Sequence, residues 1–322
     1  MSNAIVCLDG YTLNPGDISW DPFKQIGPLT VYDRTEPDQI VSRAQPAAYV
    51  LTNKTPLSAP TISALPNLKY IGVLATGYNV VDTSVAAERG IVVTNVPTYG
   101  TDSVAQHAFA LILEMSRHVA LHHQAVQRGQ WTSCKDWCFA LAPISELTGR
   151  TLGVMGMGRI GRAVARIGAA MDMRLIGHDI YWPSPAQLGD LKVESVSVDE
   201  IFGRSDVLSL HCPLTDETHH LVNAERLQMM KPDALLINTS RGPLVDNAAL
   251  AEALTSKQIG AAALDVLDVE PPAADNPLLT APNCIITPHI AWYASASRQR
   301  LMELAASSLK TFINGKPTNK VN

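Results

Sequence analysis

The chain has 322 residues, a formal net charge of −5, 46% hydrophobic residues and 17% charged residues. This composition is typical of a globular protein and excludes an intrinsically disordered chain, and the length allows two ordinary domains. The acidic balance and the absence of a long Lys/Arg run argue against nucleic acid or an anionic membrane as a partner. No apolar stretch predicts a membrane span, since even residues 104–115 include Gln106, His107 and Glu114.

The cysteines indicate a reducing compartment. They are odd in number and scattered, which favours free thiols and a cytoplasmic location. The first residues lack a basic segment followed by an apolar one, so no secretory signal is predicted. We expect no metal site, because His118 and His122 stand without an HExxH motif and Cys134 and Cys138 have no second ligand pair. The cysteines are Cys7, Cys134, Cys138, Cys212 and Cys284.

The first third of the chain alternates short β-rich runs with helical patterns. One helix is predicted to start after Asp82, which we take as its N-cap. Alternation of strands and helices favours a parallel sheet that is covered on both faces. The predicted strands are residues 5–10, 29–34, 47–53, 70–76 and 91–96.

A long helical pattern begins at residues 101–103. Gln106 follows Ser103 by three positions, which is the spacing of a capping box. The helix is apolar almost all round over residues 104–115, which predicts burial between domains or subunits. Segment 128–148 has little periodicity and is predicted to be rich in loops.

A second alternating series follows that loop. It ends in segment 294–314, whose apolar residues share one helical face. We expect this last helix to return to the first domain and make it discontinuous. Residues 1–98 and 291–322 would then form the substrate domain, and residues 99–290 the nucleotide-binding domain. The predicted strands of the second series are residues 151–156, 174–179, 206–213, 234–240, 259–266 and 284–290.

A glycine-rich turn joins the first strand of the second series to a predicted helix. Its sequence, GMGRIG, places Gly156, Gly158 and Gly161 at the G-x-G-x-x-G spacing. The first glycine permits a tight turn, the second lets a pyrophosphate approach the backbone, and the third lets the helix pack closely on the strand. The N–H groups of the helix start, at Arg159 and Ile160, would receive the phosphates. The pattern therefore predicts a dinucleotide site.

Asp179 ends the next predicted strand, eighteen positions beyond Gly161. A carboxylate at this place accepts hydrogen bonds from both ribose hydroxyls and repels a 2′-phosphate. The sequence therefore predicts NAD rather than NADP as the cofactor. The alternative interpretation makes Asp179 a turn residue before Tyr181-Trp182-Pro183.

Three residues of the second series have the chemistry to reduce a 2-oxo acid. This reaction needs a cation for the carboxylate, a proton donor for the carbonyl oxygen, and an anion that keeps the donor protonated. Arg241, His289 and Glu270 meet these needs and follow predicted strands at their carboxyl ends, where doubly wound sheets bind ligands. Taken singly, each is more simply a surface or loop residue. Their joint placement behind the glycine-rich turn favours the catalytic interpretation.

On six segments the sequence resembles the D-isomer-specific 2-hydroxyacid dehydrogenase family, most closely its glycerate dehydrogenases, also called hydroxypyruvate reductases. The resemblance implies a Rossmann-type doubly wound parallel sheet domain and a discontinuous flavodoxin-like α/β substrate domain. It also implies that His289 donates the proton, that Glu270 is its partner, and that Arg241 binds the substrate carboxylate. The segments are LATGYNVVD (74–82), GVMGMGRIG (153–161), HCPLTDET (211–218), INTSRGPLVD (237–246), LDVLDVEPP (264–272) and TPHIA (287–291).

The resemblance implies further contacts. Backbone N–H groups near Thr76 and Gly77 would also bind the substrate carboxylate, and Asp265 would face the nicotinamide amide. Family members are typically homodimers whose long helix, here starting near residue 101, takes part in the contact. The residues expected to line the cofactor cleft are Cys212, Pro213, Thr218, Thr239 and His289.

The expected activity is the reversible, NADH-dependent reduction of hydroxypyruvate or glyoxylate to D-glycerate or glycolate. One alternative is a phosphoglycerate dehydrogenase, although the first domain lacks a basic cluster for a substrate phosphate. The other is an NAD-sensing scaffold of the corepressor type. The roles of Gln106, Trp131 and Trp292 stay open at this point.

Overall fold

The computed structural model describes residues 3–322 and divides into two compact units. The first unit runs up to Gly100 and resumes at Trp292–Asn322, and the second unit is Thr101–Ala291. The predicted boundaries, after residues 98 and 290, lie within two residues of these divisions. Residues 1 and 2, which the predicted first domain includes, lie outside the described part of the chain.

The first unit contains a five-stranded sheet in the order β2-β1-β3-β4-β5, and every pairing is parallel. This is the strand order of flavodoxin-like folds, as the family resemblance implies. Alternate strand residues pack into two separate apolar clusters, so both faces of the sheet are covered. The strands are β1 (Ile5–Cys7), β2 (Leu29–Val31), β3 (Tyr49–Thr52), β4 (Tyr70–Val73) and β5 (Val92–Thr94).

Among residues 3–322, five α-helices belong to the first unit, four from its first stretch of chain and one from its second. The Asp82 side chain accepts a 3.0 Å hydrogen bond from the N–H of Val85, so the predicted N-cap is confirmed. A 3₁₀ turn covers Pro37–Gln39. The helices are α1 (Asp21–Lys24), α2 (Ile40–Ala44), α3 (Ala59–Ser63), α4 (Thr83–Glu88) and α12 (Ser295–Ile313).

Helix α12 completes the core of the first unit. Leu301 and Leu309 are fully buried, and the Phe312 ring lies 5.0 Å from the ring of Tyr70 on β4. Gly315 follows the helix with φ +75°, a conformation that glycine adopts without strain. The first unit is therefore built from both of its stretches of chain.

The second unit contains a seven-stranded parallel sheet in the order β12-β11-β10-β9-β6-β7-β8. From β8 across the sheet to β11, the six strands have the Rossmann order, and β12 lies beside β11 at the edge of the sheet. The two-residue edge strand β8 was absent from the prediction. The strands are β6 (Thr151–Met155), β7 (Arg174–His178), β8 (Glu194–Ser195), β9 (Val207–Leu210), β10 (Leu235–Asn238), β11 (Ala261–Leu264) and β12 (Cys284–Ile286).

Seven α-helices belong to the second unit. None of the helices in residues 3–322 combines the length and the hydropathy that crossing a membrane requires. Two 3₁₀ turns cover Gly242–Leu244 and Pro277–Leu279. The helices are α5 (Thr101–Arg117), α6 (Val119–Gln127), α7 (Arg159–Ala170), α8 (Pro185–Leu188), α9 (Val198–Arg204), α10 (Ala224–Met229) and α11 (Asn247–Thr255).

Helix α5 is the long helix of the prediction, and its inner face packs in one apolar cluster with α7 and the sheet. The predicted capping box is wrong, because Ser103 already lies inside the helix. Its hydroxyl donates a 2.6 Å hydrogen bond to the carbonyl of Ala291. Segment 128–148 contains neither helix nor strand, and Trp137 within it is 86% exposed.

Candidate active site

The glycine-rich turn between β6 and α7 has the geometry that its spacing predicts. Gly156 has φ +95°, and a Cβ there would lie 2.5 Å from the backbone nitrogen of Cys212. A Cβ at Gly161 would overlap the carbonyl oxygen of Gly156, so the helix lies as close to the turn as glycine allows. At Gly158, by contrast, a Cβ would have no described heavy atom within 4 Å. This open space at the middle glycine is where a pyrophosphate can approach the backbone.

The start of α7 is suited to bind an anion. Its N-cap, Gly158, has no side chain, so no side-chain cap binds the first-turn N–H groups, which include those of Arg159 and Ile160. These groups carry the positive end of the dipole of a twelve-residue helix. Phosphate oxygens are the ligands that such a helix start prefers.

Asp179 follows β7 and lies against the glycine-rich turn. One carboxylate oxygen accepts a 2.6 Å hydrogen bond from the N–H of Met157, and the other accepts a 2.9 Å bond from the N–H of Tyr181. Each carboxylate oxygen has a second lone pair, so both oxygens keep acceptor capacity for hydroxyl groups. The turn interpretation and the ribose interpretation of Asp179 are thus compatible.

The carboxyl ends of β9 and β10 bring further predicted residues to this edge of the sheet. Burial raises the pKa of the Cys212 thiol to about 11, so this side chain stays neutral. The Ser240 hydroxyl donates a 2.7 Å bond to the Cys212 carbonyl and ties the two strand ends together. Among the described residues, the buried Thr239 hydroxyl oxygen has no hydrogen-bond partner. Burying a polar group without a hydrogen-bond partner costs free energy. A ligand that hydrogen-bonds to the Thr239 hydroxyl would remove this cost and would therefore bind more favourably.

Pro213 and Thr218 shape the loop after β9. The Thr218 hydroxyl donates to the carbonyl of Pro213 at 2.8 Å and accepts from the N–H of Thr215 at 2.7 Å. These contacts fix the loop conformation. Together with the open space at Gly158 and the Thr239 hydroxyl, the residues of this edge fit a dinucleotide.

His289 and Glu270 form a direct pair. Nδ1 of His289 lies 2.6 Å from Oε2 of Glu270, and both side chains are about one-third exposed. The second carboxylate oxygen, Oε1, accepts a 3.1 Å hydrogen bond from the N–H of Leu267. Because a carboxylate can only accept, Nδ1 carries the proton of this bond. Nε2 is then protonated only when the ring is an imidazolium.

The backbone of His289 is in the left-handed region, with φ +55°. Its N–H donates to the carbonyls of Asp265 (2.8 Å) and Thr287 (3.0 Å), which hold this conformation. The prediction of a strand through residue 290 is wrong in this part, since β12 ends at Ile286. His289 therefore lies on a turn beyond the strand.

Asp265 follows β11, and its buried carboxylate binds that turn. It accepts hydrogen bonds from the Thr287 hydroxyl (2.6 Å) and from the N–H groups of Ile290 (2.9 Å) and Ala291 (2.8 Å). Burial raises the pKa of Asp265, but hydrogen bonds from His107, Thr287 and the two N–H groups outweigh it and hold the pKa below its usual value. The expected contact of Asp265 with the nicotinamide amide stays a prediction.

Arg241 follows β10, and its guanidinium is exposed. Nη1 donates a 2.7 Å hydrogen bond to the carbonyl of Ser240, and the Arg241 carbonyl accepts a 2.8 Å bond from the buried Asn238 amide. A Cβ at the next residue, Gly242, would overlap the backbone of Leu267, whose N–H binds Glu270. Arg241 thus lies on a segment in backbone contact with the Glu270 turn.

In the first unit, Thr76 and Gly77 follow β4. The Thr76 carbonyl accepts a 2.7 Å hydrogen bond from the Asn95 amide, and its hydroxyl donates to the carbonyl of Val96 at 3.1 Å. These bonds fix the backbone whose N–H groups were expected to bind substrate. The Trp292 ring packs edge-on against Tyr99 at 6.1 Å, which gives it a structural role within this unit.

Two residues of α5 that the sequence interpretation did not assign to the site contact the His289 turn. Ser103 binds the carbonyl of Ala291, and Nε2 of His107 lies 3.0 Å from the Thr287 hydroxyl oxygen. Gln106, whose role was open, is exposed. The sequence feature that could have indicated these two residues is the four-residue spacing of Ser103 and His107. This spacing places two polar groups on one face of an apolar helix.

Comparisons with known proteins show one family. The sequence profile described as "D-isomer specific 2-hydroxyacid dehydrogenase, NAD binding domain" matches residues 109–291. The chain is 48% identical over 321 residues to a hydroxypyruvate reductase of Blautia hydrogenotrophica, with 99% of each chain covered. It is 39% identical over 324 residues to a glycerate dehydrogenase of Methylorubrum extorquens, covering 100% of this chain and 99% of that one.

A crystal structure is also similar over the whole chain. It is that of an NADPH-dependent glyoxylate/hydroxypyruvate reductase from Sinorhizobium meliloti in complex with NADP and malonate. The TM-score is 0.83 at 29% sequence identity, and the match covers 100% of this chain and 97% of that one.

Proposed function

Because the chain belongs to the D-isomer-specific 2-hydroxyacid dehydrogenase family, we propose that it reduces hydroxypyruvate or glyoxylate to D-glycerate or glycolate with NADH. The reaction is reversible. The 2.6 Å contact between His289 and Glu270 is the observation that carries this proposal, because it supplies a proton donor with a fixed orientation. The names of the two relatives support the choice of substrate.

His289 is the proton donor in this proposal. The Glu270 carboxylate stabilises the imidazolium and holds the ring through Nδ1, so Nε2–H is directed to the substrate. NADH, when bound, supplies the hydride that reduces the carbonyl carbon. The proton moves from Nε2 to the carbonyl oxygen, which becomes the hydroxyl of the product, and solvent then reprotonates the ring.

Arg241 binds the substrate carboxylate. A guanidinium presents two parallel N–H donors that match the two carboxylate oxygens, and the exposed group of Arg241 has donors to spare beyond its bond to Ser240. Substrate binding by the N–H groups near Thr76 and Gly77 rests on the family resemblance and stays a prediction.

We propose NAD as the preferred cofactor, bound by residues 101–291. The support is the carboxylate of Asp179, which lies against the glycine-rich turn. A carboxylate at this place would accept hydrogen bonds from the ribose hydroxyls and repel a 2′-phosphate. The Sinorhizobium relative uses NADPH, so cofactor preference varies among similar proteins, and the rate survey described below compares both cofactors.

We further propose a homodimer in the cytoplasm. Trp131 and Trp137 are 52% and 86% exposed, which is unusual for large aromatic side chains and supports a covered interface. All five cysteines are free thiols, as expected of a reducing compartment.

The decisive experiment is an initial-rate survey of NADH absorbance with hydroxypyruvate, glyoxylate, pyruvate and 2-oxoglutarate, repeated with NADPH. We expect the highest kcat/KM with hydroxypyruvate or glyoxylate and NADH. Oxidation of 3-phosphoglycerate at a higher efficiency than D-glycerate would establish the phosphoglycerate dehydrogenase alternative. No turnover with any substrate would favour the scaffold.

The variant His289→Asn tests the assigned proton donor. We expect kcat to fall by about 10²- to 10⁴-fold, the usual contribution of general acid catalysis, while NADH still binds. NADH fluorescence titration serves as the control for cofactor binding. Near-normal turnover of His289→Asn would contradict the assignment.

A further inference from the structure

Helix α5 holds the segment 287–291, on which His289 lies, at two points one helical turn apart. The Ser103 hydroxyl donates to the carbonyl of Ala291 at 2.6 Å. Nε2 of His107 lies 3.0 Å from the Thr287 hydroxyl oxygen and 3.4 Å from Oδ1 of Asp265. The segment is thus held on both sides of His289 by side chains of one helix.

The protons of this cluster determine the direction of each bond. Asp265 is a carboxylate and can only accept, so the single hydroxyl proton of Thr287 goes to Asp265 at 2.6 Å. The Thr287 oxygen is then left as the acceptor for His107. Nε2 of His107 must therefore carry a proton and donate it.

Asp265 connects the Thr287 hydroxyl, which accepts the hydrogen bond from His107, to the rest of segment 287–291. The same carboxylate accepts the N–H groups of Ile290 and Ala291, the two residues that follow His289. His107 is itself only 19% exposed, and Asp265 is fully buried, so water replaces a lost donor poorly. A change at His107 is thereby transmitted to the backbone that sets the left-handed conformation of His289.

We propose that His107 is a positioning residue, which orients His289 for proton transfer through Thr287 and Asp265. The proposal rests on the reductase function proposed above. His107 needs no contact with substrate or cofactor for this role, only a protonated Nε2. It therefore affects the chemical step more than the binding of either ligand.

The test compares His107→Leu, which removes the donor, with His107→Gln, whose amide nitrogen can donate from a similar position. We expect His107→Leu to lower kcat for hydroxypyruvate by about tenfold, the effect of about 1.4 kcal/mol on the barrier. KM and the Kd for NADH should change by less than about twofold, and His107→Gln should restore most of kcat.

A second measurement does not require activity. In the protein without cofactor, diethyl pyrocarbonate modifies accessible imidazoles, and peptide mapping gives the rate at His289. This rate should rise by about threefold or more in His107→Leu because the turn opens more often, and it should return to the wild-type value in His107→Gln. If wild-type protein fails to reduce any 2-oxo acid, the proposed function fails, yet this measurement still tests the positioning of His289.

The controls separate positioning from general damage. His123→Leu places the same substitution on the exposed surface of α6 and should leave kcat unchanged. Should His107→Leu fail to fold, Thr287→Val removes the intermediate hydroxyl and should give the same loss, which Thr287→Ser should restore. Wild-type kcat in His107→Leu, or equal losses in His107→Leu and His107→Gln, would overturn the proposal.

Discussion

Replacing Gly161 with alanine tests the contact between α7 and the glycine-rich turn. The added Cβ would overlap the carbonyl oxygen of Gly156 and lie 3.1 Å from its carbonyl carbon and 3.0 Å from a methyl carbon of Val154. The first obstacle is backbone, which cannot rotate away as a side chain does. The helix start must therefore move away from β6, and the N–H groups that bind phosphate move with it.

The magnitude follows from two opposing effects. Overpacking against backbone costs about 3 kcal/mol, the upper end of the usual range, whereas alanine gains about 1 kcal/mol over glycine inside a helix. The net loss is about 2 kcal/mol, which lowers the Tm of a domain of this size by roughly 4–8 °C. Thermal unfolding followed by circular dichroism measures this shift, and NADH fluorescence titration measures the accompanying loss of affinity.

Gly158→Ala is the matched control, because it adds the same methyl group three residues earlier in the turn. Its Cβ would have no described atom within 4 Å, and φ is −63°, which alanine adopts freely. Its Tm should equal that of the wild type, while NADH affinity falls because the methyl group occupies the approach of the pyrophosphate. An unchanged Tm in Gly161→Ala, or wild-type NADH affinity in Gly158→Ala, would refute this account of the turn.

Two further substitutions test electrostatic arguments. Asp179→Asn keeps an acceptor for the N–H of Met157 but removes the charge, so the ratio of kcat/KM with NADPH to that with NADH should rise at least about tenfold; an unchanged ratio would remove the basis for the NAD preference. Burial lowers the pKa of His211 from 6.5 to about 3. As the pH drops from about 6.5 towards 3, the imidazole of the unfolded chain becomes protonated while that of the folded chain stays neutral, so the free energy of unfolding falls. Between about pH 6.5 and pH 5, the free energy of unfolding measured with urea should fall less in His211→Gln than in the wild type. Equal losses in the two proteins would contradict the assignment of this pH dependence to His211.

Much of the fold follows from local sequence signals. Eleven runs of β-rich residues were predicted and all contain strands, because buried parallel strands are nearly continuous apolar runs. The N-cap Asp82 and the three glycines of the turn have local physical requirements, which their spacing reveals. The exposed edge strand β8, Glu194–Ser195, has only two residues and no apolar run, so no such signal was present.

The finer arrangement of the site depends on contacts between residues far apart in the chain. The pairing of His289 with Glu270 follows from strand ends and the family resemblance, but the left-handed turn at His289 does not. That turn exists because a buried carboxylate, a threonine and a helix side chain hold it. Neither the hydrophobic pattern nor any motif connects His107 with Asp265, which are 158 positions apart.

The order of the chain also has a consequence for its biosynthesis. Residues 101–291 form one uninterrupted stretch, so this unit can fold on the ribosome as soon as it has emerged. The sheet made from residues 5–94 is synthesised earlier but acquires Phe312 and Leu309 last. The ring of Tyr70 thus lacks its contact with Phe312 while more than two hundred residues are translated, and the oldest part of the nascent protein is the last to mature.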